Sequence, residues 1–176
     1  MKIAVNNRQT QHRLSRLRIR RLAAWLLRPA VAGASNPAAN TSCCGGASPA
    51  HEWNALEIIL TDDAGMVAVN QAAFGRKAST DVISQAYAPL PNEPGGAGEV
   101  IVNVALAARE GARRAGGPDR ELALYLAHGC DHLGGASDAT AAGRAAMRRR
   151  ERGWLAAAAR AGLLDGLFSR GSEYVR

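Results

Sequence analysis

The sequence predicts an α/β protein: a single small mixed sheet of about four strands with packed helices, one of which carries paired histidines into a turn. Three observations carry this. Short apolar runs rich in Val, Ile and Leu (LEIIL at 56–60, TDVIS at 80–84, EVIV at 99–102) alternate with longer stretches of helical period. Two histidines stand four residues apart before a Gly-Gly pair. The chain has 176 residues, 47% of them hydrophobic, enough for one core and one domain spanning 1–176.

The elements follow in order. Residues 2–5 read as a first strand. A helix is expected over about 11–28, with Leu14, Leu17, Leu22, Trp25 and Leu26 broadly on one side and Pro29 ending it. Residues 32–50 are small, polar and rich in Gly and Pro, which reads as a low-complexity insertion. The strand at 56–60 leads to Thr61, expected to cap a helix to about Ala73. A third strand at 80–84 and a loop rich in Pro and Gly precede the fourth strand at 99–102. Asn103 then caps a helix to about Ala115. Asp119 is expected to cap the helix that carries the histidines, Gly134-Gly135 breaks it, and a last helix runs over about 139–161.

Charge is distributed unevenly. Through His51 there are eight basic residues and no Asp or Glu; the remainder has 14 basic and 15 acidic residues. The net charge of +7 therefore belongs to the N-terminal part, where Arg13, Arg16, Arg20 and Arg21 suit a polyanion, nucleic acid before anionic lipid. A second basic run, Arg148-Arg149-Arg150-Glu151-Arg152, follows the histidine region. Either run could also be a solvated helix face. No apolar run approaches a membrane span, so no membrane partner is expected. The apolar stretch 22–27 is short and stopped by Arg28, unlike a secretory leader. Adjacent Cys43 and Cys44 and a lone Cys130 do not form a disulfide framework, so a cytoplasmic location is expected.

The chemistry lies in His128-Gly-Cys-Asp-His132. Imidazoles at i and i+4 share a helix face and can grip one ion. Gly134 and Gly135 let the chain turn, and Asp138 arrives six residues after His132, giving HxxxHxxGxxD. The other histidines, His12 and His51, lie in the basic N-terminal segment or its loop, so a carboxylate is the economical third ligand. Two imidazoles, one carboxylate and an open position describe a zincin-like metal-binding helix and turn, a catalytic site for one zinc ion at His128, His132 and Asp138. Position 129, where HExxH proteases carry their base, is glycine. Asp131 flanks the histidine face and is a candidate general base; the competing reading is an outer hydrogen bond supporting the metal site or an ion pair with an arginine.

These residues resemble the YbeY family of rRNA maturation factors. The family's HGxLHLxGYDH is matched by 128–138, its LN…TDVLSF by Asn70 and 80–84, and its GDIVI strand by 98–102. The departures are Asp138 for the third histidine, Ala136-Ser137 for Tyr-Asp, Asp131 for Leu, Gln85 for Phe, and Phe74 for a basic residue four after the Asn. The nearest cations to that position are Arg76 and Lys77. The resemblance implies a zinc-dependent endoribonuclease cutting single-stranded RNA in 16S rRNA 3′-end maturation and ribosome quality control, with the small ribosomal subunit as partner. It implies a catalytic cation, for which Arg76 is the candidate. Lys77, Arg148 and Arg149 join the N-terminal arginines as RNA-binding residues. The rival readings are a metallopeptidase and a non-catalytic, zinc-stabilised ribosome-assembly factor.

Overall fold

A computed structural model describes residues 1–33, 53–89 and 95–169. The elements are β1 (Lys2–Asn7), α1 (Arg16–Gly33), β2 (Trp53–Thr61), α2 (Asp63–Phe74), β3 (Val82–Tyr87), β4 (Gly96–Asn103), α3 (Val104–Gly111), α4 (Gly117–Leu133) and α5 (Ala141–Arg160). The strands form one sheet in the order β1-β2-β4-β3. β1, β2 and β4 run parallel, and β3 pairs antiparallel with β4 at the edge. The expected mixed α/β architecture is the one observed.

Strand alternation divides the helices between the two faces of the sheet. Leu56, Ile58, Leu60, Val82, Val100 and Val102 point to the larger core, where α1, α4 and α5 pack. Their alternates Ile59, Ile83 and Ile101 face Met66 and Val69 of α2. The metal-motif helix and α2 therefore lie on opposite faces. α1 buries Ile19, Leu22, Ala23, Leu26, Leu27 and Ala30 and turns its arginines outward. α5 buries Met147, Glu151, Leu155 and Ala158, an i, i+4, i+8, i+11 stripe.

Several boundaries differ from the sequence expectations. α1 starts at Arg16 and runs through Pro29 to Gly33. Pro29 forfeits one hydrogen bond near the helix end, while Ala30 packs in the core and keeps the last turn in place. Leu17, placed on the core side by periodicity, is 56% exposed. Of the proposed insertion, 32 and 33 belong to α1; residues 34–50 lie outside the described residues. Thr61 ends β2 rather than capping α2; Asp62 is the cap, accepting from the Gly65 amide at 2.9 Å. Asn103 caps α3 as expected, accepting from the Leu106 amide at 3.0 Å, but α3 ends earlier, at Gly111. Asp119 does not cap α4: its carboxylate accepts from the amides of Gly166 and Phe168, clasping the segment after α5.

Candidate metal centre

α4 enters the site from the core. Its flank at Leu122, Leu126 and Cys130 is buried, so the neighbouring row brings His128 and His132, both half-buried, to the rim. Gly129 sits where the helix meets the sheet: a Cβ there would lie 2.6 Å from Val100 Cγ1 and 3.0 Å from Ser84 Oγ. The Ser84 hydroxyl donates to the Gly129 carbonyl at 3.1 Å, pinning β3 to the helix. Beyond Leu133 the chain turns at Gly135, whose φ of 87° is left-handed and suits glycine. The Ala136 amide donates to the Asp131 carbonyl at 3.0 Å, and the turn then delivers Asp138. Ligand atoms of His128, His132 and Asp138 lie within 4.8 Å of one another.

The outer nitrogens of both rings are committed. His132 Nδ1 lies 3.0 Å from the Ala136 carbonyl, which can only accept, so Nδ1 carries the proton. His128 Nδ1 lies 2.7 Å from Glu151 Oε1 and donates to that carboxylate. The two Nε2 atoms are 3.1 Å apart, with ring planes crossing at 83°. In the neutral rings both Nε2 atoms then carry lone pairs directed at one region, a repulsive arrangement that a proton or a metal cation relieves. A proton serves the pair alone, whereas a cation also draws on Asp138. This donor set fits a divalent ion held by two imidazoles and a carboxylate. Burial disfavours the charged form of His128, but Glu151, with Asp81 and Asp138 nearby, outweighs it and raises the His128 pKa.

Asp131 points to α5. Its carboxylate accepts from Arg150 Nε at 3.1 and 3.2 Å and from an Arg150 terminal nitrogen at 2.9 Å. The side chain is 4% exposed. Burial raises its pKa, and Arg150 offsets part of that rise. The ion pair with an arginine, one of the sequence readings for Asp131, is formed with Arg150. Arg150 is accordingly absent from the exposed basic run, while Arg148 and Arg149 are exposed.

The other candidates are dispersed. Arg76 and Lys77 are exposed and follow α2, with no hydrogen bond or ion pair to the histidine group. Asn70 shapes their turn: its carbonyl accepts from the Gly75 and Arg76 amides, and its side chain donates to the Ala78 carbonyl at 2.7 Å. Arg13, Arg16, Arg20 and Arg21 are all exposed, at the N-terminal end of α1. Glu151 is the site residue that sequence reasoning missed. Inside an arginine run it reads as a charge partner, and only the buried i, i+4 stripe with Met147 and Leu155 marks it as facing inward.

The fold and site define an α/β protein with a candidate metal centre, a His-His-Asp group on one helix and its following turn that could hold an ion. The family model for "Endoribonuclease YbeY" matches residues 4–159. The chain belongs to the YbeY endoribonuclease family. It is 30% identical to the Endoribonuclease YbeY of Geobacter sulfurreducens, over 86% of this chain and 89% of that one. It is 36% identical to the Endoribonuclease YbeY of Moorella thermoacetica, over 57% of this chain and 70% of that one. A solution structure of a Thermotoga maritima protein shares the fold, with a TM-score of 0.52, 15% identity and 99% of each chain covered.

Proposed function

We propose that this chain is a single-domain, zinc-dependent endoribonuclease that cuts single-stranded RNA. Its role would be 16S rRNA 3′-end maturation and ribosome quality control on the small ribosomal subunit in the cytoplasm. The observation that carries the metal assignment is the pair of Nε2 atoms 3.1 Å apart, beside Asp138, with both outer nitrogens already engaged. His128, His132 and Asp138 would hold the zinc ion, which would supply Lewis-acid stabilisation of a phosphoryl oxygen and lower the pKa of a water. Asp138, being anionic, tempers both effects relative to a third imidazole.

The chain's own residues divide the remaining work. Glu151 and the Ala136 carbonyl fix the histidine tautomers. Arg76 and Lys77, on the turn before β3, are the cations assigned to offset phosphate charge. Arg13, Arg16, Arg20, Arg21, Arg148 and Arg149 supply non-specific phosphate contacts. Asp131 is assigned to holding Arg150, so no general base is assigned to this chain. The metallopeptidase reading loses ground at Gly129: a glutamate at that position would have to enter space occupied by Val100 and Ser84.

The deciding experiment combines elemental analysis with cleavage of end-labelled single-stranded and duplex RNA. The expected result is one zinc per chain and single-strand cleavage that a chelator stops and added zinc restores. One zinc per chain with no RNA cleavage would leave a zinc-stabilised assembly factor, and peptide cleavage would leave a peptidase.

A further inference from the structure

The two basic segments, distant in sequence, meet in space. α5 begins at the metal loop, where Arg144 donates to the Asp138 carbonyl at 2.8 Å. The pairings Asp131–Arg150, His128–Glu151 and Asp119–Gly166 show that it runs antiparallel to α4, and the segment after it, 165–169, meets the start of α1. There Arg18 donates to the Asp165 carbonyl at 3.0 Å, Ser15 to Leu167, and Ser169 to the Arg13 carbonyl. Along α5 the i+4 row is Arg144, Arg148, Arg152, Ala156 and Arg160, all exposed. Successive members rise about 6 Å, so the row covers about 24 Å.

α5 carries six arginines and one acidic residue, Glu151, which is buried against His128. Among the described residues, Arg148, Arg149, Arg152 and Arg160 form no ion pair; Arg150 faces inward to Asp131. A solvated helix face intersperses signs, because like charges at i, i+4 repel by a few tenths of a kcal/mol per pair. Here that repulsion is left uncompensated on one side of the helix. The row starts at the backbone of the candidate ligand Asp138, and the segment that follows its last member bonds to Arg13, Ser15 and Arg18.

We infer that Arg144, Arg148, Arg152 and Arg160, continued by Arg13 and Arg18, form one track along which single-stranded RNA lies with one end at the metal loop. This rests on the endoribonuclease reading. Contacts are to phosphates, so the track reads length and charge rather than base sequence. Its reach falls within the roughly 4–16 nucleotides typical of single-strand grooves.

The test uses the full chain and fluorescein-labelled 2′-O-methyl oligouridylates of graded length, titrated across a salt series. Arg148→Gln/Arg152→Gln should weaken binding of a long oligomer by about tenfold and lower the salt slope by about 1.4, from about 0.7 per phosphate contact on single strands. Arg13→Gln/Arg160→Gln should weaken the long oligomer and spare the shortest, because it removes only the far end. Arg148→Lys/Arg152→Lys should restore the slope, and Arg113→Gln, off the track, should change nothing. Circular dichroism confirms that these surface variants remain folded. Unchanged affinity and slope in Arg148→Gln/Arg152→Gln, with wild-type RNA cleavage intact, overturns the track and leaves the endoribonuclease reading standing. A wild-type chain that neither binds nor cuts RNA overturns both. Binding to phosphatidylserine vesicles that RNA does not compete away assigns the strip to a lipid surface and overturns the track.

Discussion

Asp131 on α4 and Arg150 on α5 form a buried-to-surface ion pair, the aspartate side chain 4% exposed and the arginine side chain 38%. That asymmetry sets what each truncation does. Arg150→Ala strands a buried carboxylate and should cost about 2–3 kcal/mol, in the range of hydrogen bonds to charged groups. Asp131→Leu lets Arg150 turn to water and fills the same space with apolar atoms, so it should cost less than about 1 kcal/mol. Denaturant unfolding of both variants checks the ordering. Asp131→Leu that keeps its zinc but cuts RNA about 100-fold more slowly would return Asp131 to the role of general base.

Glu151 is the next residue along α5, and its carboxylate holds the outer nitrogen of His128 at 2.7 Å. Glu151→Ala should weaken zinc binding by about 10- to 100-fold, as losses of such outer hydrogen bonds do. Glu151→Gln keeps an acceptor without the charge and should fall between the two. Competition against a zinc chelator of known affinity reads both values. Equal affinity in all three proteins would confine Glu151 to packing.

The grouping of His128, His132 and Asp138 was legible because helix geometry translates directly into spacing. Positions four apart share a face, and a Gly-Gly pair lets the chain bring Asp138 back. The sheet was legible from its apolar runs. Glu151 was not, because its role depends on how α5 lies against α4, and no local pattern encodes that angle. For Asp131 an arginine partner was among the readings, but which arginine was not legible, since it lies 19 residues away on α5. Asp119 misled for a related reason: at the start of a helix it has the chemistry of a cap, but the segment at 166–168 supplies better-placed amides. Arg76 was placed by alignment to a family pattern, and the structure puts it after α2, whose core face is opposite that of α4.

Asp138 is the most exposed of the three candidate ligands and the one that departs from the family motif. Asp138→Ala should lower zinc occupancy, since a three-ligand site has no spare. Asp138→His should retain the metal, because imidazole can fill the same place. Elemental analysis of the purified variants decides this. One zinc per chain in Asp138→Ala would remove Asp138 from the ligand set.

Gly129 lies between the two histidines and is packed against the sheet, so it reports on the site without touching it chemically. A methyl group there meets Val100 Cγ1 at 2.6 Å, Ser84 Oγ at 3.0 Å and Val82 Cγ2 at 3.1 Å. Ordinary helix propensity favours alanine over glycine by about 1 kcal/mol. Overpacking a fitted contact costs about 1–3 kcal/mol, so it should equal or outweigh that gain. Gly129→Ala should therefore be neutral to destabilising, where an exposed helical glycine would be stabilised by the same change. Part of the strain should be released by moving α4 away from β3, lengthening the Ser84 bond to the Gly129 carbonyl. His128 would move with the helix and its contact to Glu151 would loosen, so zinc affinity should fall together with stability. Pairing Gly129→Ala with Val100→Ala removes the tightest clash and should recover affinity. A Gly129→Ala protein that is more stable and binds zinc as tightly as the wild type would show that the helix does not need this close approach.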